Sequence, residues 1–242
     1  MDAMPTHGMV LAAGLGLRMR PLTEKTPKPL IPVAGRCMLD RALDHLAAVG
    51  VVNRVVNSHY LAQQIADHMD ARQREEGSAV KIVVSHEADL LDTGGGVVKA
   101  LPLLGAAPFF VINGDIMWRD GPEPALRRLA AAWDDDAMDA LLLVHPREAA
   151  IGYDGPGDFN LAPDGKLARR SGDSAPFVFT GVQILSPRLL DGAPSGAFSL
   201  NKFYDRAASA GRLYGLIHTG HWFHIGTPDG LRLAEERLRA LA

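Results

Sequence analysis

Short apolar runs alternate with longer amphipathic stretches through the first half of the chain, and this alternation restricts the fold more than any other feature. Residues 9–12 read as a strand, and residues 38–49 as a helix with Leu39, Ala42, Leu43 and Leu46 at helical spacing and Gly50 as its stop. A β-branched strand over 51–57 follows, then a helical pattern over 61–69 and a strand over 80–85. A glycine-led helix over 93–104 leads to a strand over 109–113. Strand–helix–strand repetition of this kind predicts an α/β fold with a mostly parallel, mixed central sheet flanked by helices.

The second half is less regular. It reads as a helix over 125–133, a strand over 140–145 and a longer strand over 177–185. Helices are expected over 200–210 and 228–241, and a hairpin pair over 213–224 turning near Thr219-Gly220. Residues 152–166, rich in Gly, Pro and Asp, read as one or two turns or a lid-like hairpin. No internal repeat, low-complexity tract or linker divides the chain, so one domain over 1–242 is the expectation.

Composition narrows the function. Lys plus Arg number 25 against 28 for Asp plus Glu, a formal charge of −3, where a general nucleic-acid binder shows a basic surplus. The single cysteine, Cys37, has no intramolecular disulfide partner and fits a reducing compartment. The first eight residues lack a basic, then apolar, leader pattern, and apolar runs such as 140–144 are too short to span a bilayer. A cytoplasmic protein without membrane or nucleic-acid partners is expected, with its oligomeric state open.

The stretch Leu11-Ala-Ala-Gly-Leu-Gly-Leu-Arg-Met-Arg20, continuing Pro-Leu-Thr-Glu-Lys-Thr-Pro-Lys-Pro29, carries the most chemistry. Gly14 and Gly16 directly after a buried strand let backbone N–H groups approach an anion, at the strand end where open α/β sheets bind ligands. Arg18 adds a planar fork for phosphate oxygens, and Lys28 a point charge held between two prolines. It is not the dinucleotide fingerprint, whose third glycine would fall at Met19, and no Gly-Lys-Ser/Thr of a P-loop occurs. Asp115 ends an apolar strand, a position for a carboxylate that holds Mg²⁺.

These segments resemble the signature of the sugar-1-phosphate nucleotidyltransferases, the NDP-sugar pyrophosphorylases. The likeness continues in Leu91-Asp-Thr-Gly-Gly-Gly-Val97, Val111-Ile-Asn-Gly-Asp115, Gly157-Asp-Phe159, Phe179-Thr-Gly-Val182 and Gly220-His-Trp-Phe-His-Ile-Gly-Thr227. It implies a Rossmann-like domain that joins a nucleoside triphosphate to a sugar-1-phosphate and releases pyrophosphate. Within the family the likeness is to the small uridylyltransferases acting on N-acetylmuramate α-1-phosphate in cell-wall recycling. They share the run Lys99-Ala-Leu-Pro-Leu-Leu-Gly105 and lack the C-terminal β-helix of many relatives. UTP is the favoured nucleotide; a mannose- or heptose-1-phosphate guanylyltransferase and a non-catalytic nucleotide-sugar sensor are the alternatives.

By the resemblance, Arg18, Lys28 and Asp115 are catalytic. Leu11, Ala12, Ala13, Gly14, Gly16, Glu87, Thr93, Gly94 and Gly95 hold the nucleotide, with Glu87 and Asp92 as acceptors for a base. Asn113, Asp158, Thr180 and Gly181 face the sugar phosphate. The metal is Mg²⁺, with Mn²⁺ as the alternative. Relatives place a second metal-ligating aspartate where this chain has His224, a softer donor. Three readings follow: Asp115 holds Mg²⁺ largely alone, the site prefers a softer ion, or the chain binds without catalysis. His218, His221 and His224 are expected to act separately, since strand residues three apart point to opposite faces. Arg127-Arg128 and Arg169-Arg170 read as solvated charge.

Overall fold

The computed structural model describes residues 4–241. Strand β1 (His7–Leu11) is buried on both faces, which suits it to the middle of a sheet. A short hairpin, β2 (Pro32–Val33) and β3 (Arg36–Cys37), leads into helix α1 (Met38–Ala48). Then come β4 (Asn53–Ser58), α2 (Ala62–Glu76), β5 (Lys81–His86), α3 (Asp92–Leu104) and β6 (Phe109–Asn113). Strands β4 and β6 flank β1, both parallel to it, and β5 adds in parallel beyond β4.

The second half is β7 (Met117–Arg119), α4 (Ala125–Ala132), β8 (Ala140–Pro146), the hairpin β9 (Phe159–Leu161) and β10 (Leu167–Arg169), and the long β11 (Phe177–Leu185). It ends with α5 (Asn201–Ser209), β12 (Leu213–Ile217), β13 (His221–Phe223) and α6 (Pro228–Ala240). The main sheet has nine strands, and β11 joins its two halves by pairing antiparallel with β6, β8 and β9. All its strands run one way except β10 and β11, so the sheet is mixed and mostly parallel, as expected.

Alternation along the strands feeds two cores. Val10, Val56, Phe110 and Ile112 pack against Leu43 and Leu46 of α1, Ile65 of α2 and Leu129 of α4. Met9, Val55, Val111 and Leu142 pack on the other face against Val97 and Ala100 of α3 and Phe203 of α5. A third cluster seats α6 against Met19, Ile31, Met38 and Phe223. Among the described residues no helix is long and apolar enough to cross a membrane.

Two elements differ from the sequence reading. Helix α2 runs on to Glu76 because its polar end is pinned from outside. Arg72 bonds Glu76 (2.6 Å), Asp40 (3.0 Å) and Asp44 (2.7 Å), and Arg54 of β4 reaches Glu76 at 2.6 Å. The expected hairpin over 213–224 does not form. β12 pairs in parallel with β8, and that ladder continues through His218 N–H donating to Val144 O (2.8 Å). β13 instead pairs with β7, where Gly220 passes so close to Arg119 O that a Cβ would collide with it. Arg169 is also more than solvated charge: it bonds Asp205 (2.7 Å) and Asn201 (2.9 Å) and lies over the Phe159 ring.

His145 on β8 and His218 are 4% and 2% exposed, with ring centroids 5.7 Å apart. Burial pushes both imidazoles below their ordinary value, His218 to about 4, with the His145 charge adding to the shift at His218 and the His221 charge to that at His145. The unfolded chain therefore takes up protons first, so this contribution is present above about pH 6.5 and lost as pH falls from there towards 4. Urea midpoints are expected to fall between pH 7.5 and 4.5, with part of the fall removed in a His145→Gln/His218→Gln variant. An identical fall in both proteins contradicts the assignment.

Candidate active site

The carboxyl ends of parallel strands β1, β4 and β6 open into one cleft of about 530 Å³, within the range of small-molecule sites. Leu11, Asn57 and Asn113 reach it from the three strand ends. Ala13, Gly14, Gly16 and Arg18 line it from the loop after β1, and Lys28 and Asp115 from the segments that follow.

Local bonds shape this loop. Ala12 N–H donates to Asn57 Oδ1 at 2.6 Å, tying the end of β1 to that of β4. Gly16 takes φ 63° and opens a 3₁₀ turn over Leu17–Met19, with Met19 N–H and Thr23 Oγ1 donating to its carbonyl at 2.9 and 2.8 Å. Met19 is buried in the α6 cluster, and this anchor leaves the neighbouring Arg18 exposed on the cleft wall.

Lys28 opens a second 3₁₀ turn, Lys28–Leu30, directly after Pro27. Its side chain is only 9% exposed, and Nζ donates to Asp115 Oδ2 at 2.8 Å. A lysine so enclosed needs a counter-charge, and Asp115 supplies it while remaining 43% exposed towards the cleft. Gly114 makes the placement possible. Its N–H donates to Leu11 O at 2.8 Å, and a Cβ there would lie 2.7 Å from the same oxygen.

His224 follows β13, and its ring lies edge-on to Tyr153 with centroids 5.7 Å apart. Burial lowers its pKa first, followed by the Lys28 and Arg18 charges, against the pull of Asp115 and Asp154. Its Nε2 would sit 2.7 Å from a Cβ at Gly226, a residue of the cleft wall. A single carboxylate with substrate phosphates and water suits Mg²⁺, and the imidazole suits Mn²⁺ better. His218 and His221 do not join it: His218 is buried beside His145 and His221 is exposed.

Several expected contacts are made within the protein instead. Glu87 is 1% exposed, with Oε1 accepting from Asn57 Nδ2 (2.7 Å) and Oε2 from Leu91 N–H (3.0 Å), so it is no open acceptor for a base. Gly94 and Gly95 are buried and donate both N–H groups to Phe198 O at 2.8 and 3.1 Å. Their missing side chains make room for residues 196–198 rather than for a nucleotide. Thr180 is fully buried; its hydroxyl donates to Leu143 O and its carbonyl accepts from the Trp222 indole. Asp158 Oδ2 accepts from Phe179 N–H at 2.8 Å, bracing the β9–β11 junction.

Thr93 and Asn113 keep their place on the cleft, and so does Asp92. These three also border a smaller compartment of about 190 Å³, whose other walls include Phe179, Asn201 and Tyr204. Gly181, at φ 85° in the β11 bulge, fits against the Asn113 side chain.

Residues 7–154 match the family model described as nucleotidyl transferase. The chain is 42% identical to the N-acetylmuramate alpha-1-phosphate uridylyltransferase of Caulobacter vibrioides, over 98% of this chain and 99% of that protein. It belongs to the sugar-1-phosphate nucleotidyltransferases. The protein of the same name from Neisseria meningitidis is 35% identical over 94% of this chain and 96% of its own length. In fold, the chain is similar to a putative glucose-1-phosphate thymidylyltransferase from Bacillus anthracis, with a TM-score of 0.79, 18% identity, and 96% and 95% of the two chains covered. Members of this nucleotidyltransferase family generally use a divalent metal.

For this nucleotidyltransferase, the sequence reading singled out the loop, Arg18, Lys28 and Asp115, and the structure brings all of them to one cleft. It missed Asn57, which both lines the cleft and holds Ala12. The available signal was an amide at the carboxyl end of a β-branched strand, where a buried polar group needs a partner. It also missed Tyr204 and Asn201, whose helix carries no motif. Replacing Glu87 with alanine strands the buried Asn57 donor and the half-buried Leu91 N–H, with an expected cost of about 1–3 kcal/mol. It is expected to raise KM for the nucleoside triphosphate more than it lowers kcat, with Glu87→Gln intermediate. Unchanged KM in a destabilised Glu87→Ala protein contradicts the positioning role.

Proposed function

We propose that this nucleotidyltransferase joins UTP to N-acetylmuramate α-1-phosphate, forming UDP-N-acetylmuramate and pyrophosphate in the cytoplasm. Similarity over nearly the full chain to two uridylyltransferases of that name supports the substrate pair. The observation that carries the chemistry is the Lys28–Asp115 pair, 2.8 Å long, at the mouth of the glycine loop. It offers one enclosed positive charge and one half-open carboxylate to the phosphates of the two substrates.

An oxygen of the sugar phosphate attacks the α-phosphorus, the bond from that phosphorus to the β-phosphate bridge breaks, and pyrophosphate leaves. No side-chain nucleophile is required, so the residues work by positioning and charge neutralisation. Arg18 on the cleft wall binds the departing β- and γ-phosphates. Lys28 draws the reacting phosphates together. The loop over 11–16 receives the nucleotide, and the smaller compartment with Asn113, Phe179 and Tyr204 receives the sugar. Asp115 would hold the divalent ion, with His224 as the second, softer donor. When bound, Mg²⁺ or Mn²⁺ supplies neutralisation of the triphosphate charge.

Pyrophosphate release from UTP, GTP, CTP and dTTP, each with N-acetylmuramate, N-acetylglucosamine, mannose and heptose 1-phosphates, tests the reading. Each pair is run with Mg²⁺ and with Mn²⁺. The expected outcome is turnover with UTP and N-acetylmuramate 1-phosphate, reduced on the order of a hundredfold in Arg18→Ala with the fold intact. Preference for GTP with mannose or heptose 1-phosphate overturns the substrate assignment. Nucleotide binding without turnover in any pair overturns the enzymatic one.

A further inference from the structure

Cys37, Asp40 and His68 bring three donor atoms within 4.8 Å of one another, away from the residues that line the cleft. Cys37 caps the N-terminus of α1, and Asp40 stands one turn later, on the same side of the helix. His68 shares the α2 face of buried Ile65, Met69 and Arg72, so packing the two helices together brings the donors to one point.

The arrangement is convergent rather than a relay. His68 Nε2 lies 3.0 Å from Asp40 Oδ1 and 3.8 Å from Cys37 Sγ. In a nucleophile–histidine–acid relay the acid and the thiol take opposite ring nitrogens; here both face the same one. Tetrahedral zinc, with bonds of about 2.0–2.3 Å, spaces its donors roughly 3.3–3.8 Å apart. The two His68 spacings need shifts of only tenths of an ångström to reach that geometry, and the Cys37 and Asp40 donors, within 4.8 Å of each other, close by an ångström at most.

We propose that Cys37, Asp40 and His68 form a three-ligand site for zinc or a similar divalent transition ion, clamping α1 to α2. Thiolate, imidazole and carboxylate together select such an ion over Mg²⁺ or Ca²⁺. The charge balances. The ion replaces the thiol proton and the proton between His68 and Asp40, so two positive charges enter as two leave. Arg72 therefore keeps its place, held also by Asp44 at 2.7 Å and Glu76 at 2.6 Å. Outer contacts are present: Asp40 N–H donates to Cys37 Sγ at 3.4 Å, and Arg72 Nη1 to Asp40 Oδ1 at 3.0 Å. The His68 side chain, 35% exposed, gives an entry path and leaves a fourth position for water.

Cobalt(II) titration of the chelator-treated full chain reads the site, because Cys37 is the single thiol in the sequence. The expected result is a thiolate-to-cobalt charge-transfer band saturating near one equivalent and displaced by zinc. The band is absent in Cys37→Ser, which keeps a capping oxygen, and in His68→Gln. Zinc raises the melting temperature of the wild type by more than that of either variant, which keep only the Asp115 site, while Cys37→Ser keeps wild-type pyrophosphate release. A folded wild type without the band, or a band that survives His68→Gln, overturns the proposal. Metal bound at Asp115 and His224 carries no thiolate and gives no such band, so the two sites are read separately.

Discussion

A lysine held almost out of water beside one aspartate is the constraint around which the cleft is arranged. Lys28 is fixed by the proline-bounded turn that carries it, and Asp115 by the close approach of Gly114 to the end of β1. Neither group could be held there by a surface loop alone. The parallel order of β4, β1 and β6 brings the relevant strand ends to one side of the sheet. The α6 cluster then fixes Met19 and Ile31, on either side of Lys28 in sequence. The segment after the glycine loop and the end of β6 thus meet at a charge that each needs the other to satisfy.

Behind the cleft, Asn57 and Glu87 find their hydrogen-bond partners within the protein. Glu87, Asn57 and Ala12 form a continuous chain from the loop before α3 to the end of β1, and Gly96 leaves room for it. Residues 196–198 cover the start of α3 through the Gly94 and Gly95 amides. A loop whose amides face an anion must be rigid before the anion arrives, and these bonds supply that rigidity. The same wall carries Asp92, Thr93 and Asn113 into the second compartment, so the two ligand spaces share a border.

Much of this was legible from residues alone. Periodicity located β6 and β11 at their observed bounds, because both are buried and of strongly apolar or β-branched character. The glycine loop, Arg18, Lys28 and Asp115 were legible because their residue types serve no simpler local purpose in combination. Strands of two or three residues, such as β2, β3, β7 and β13, carry too little pattern to be seen. The extension of α2 depends on ion pairs with aspartates of α1 and an arginine of β4, which local propensity does not encode. Glu87 and the Gly94–Gly96 run show a subtler failure. A carboxylate and a glycine triple look the same in sequence whether they face a ligand or another segment of the protein. Only the fold decides the direction, and here both face inward.

A double-mutant cycle on Lys28 and Asp115 tests the central claim most directly. Turnover of Lys28→Met, Asp115→Asn and the combined variant would be measured at saturating substrates, with folding checked by circular dichroism. If the pair works as one electrostatic unit, each single change lowers the rate on the order of a hundredfold or more, and the double variant is little worse than the poorer single. Losses that multiply, or a single variant with wild-type turnover, would show that the pair is not the centre of the site.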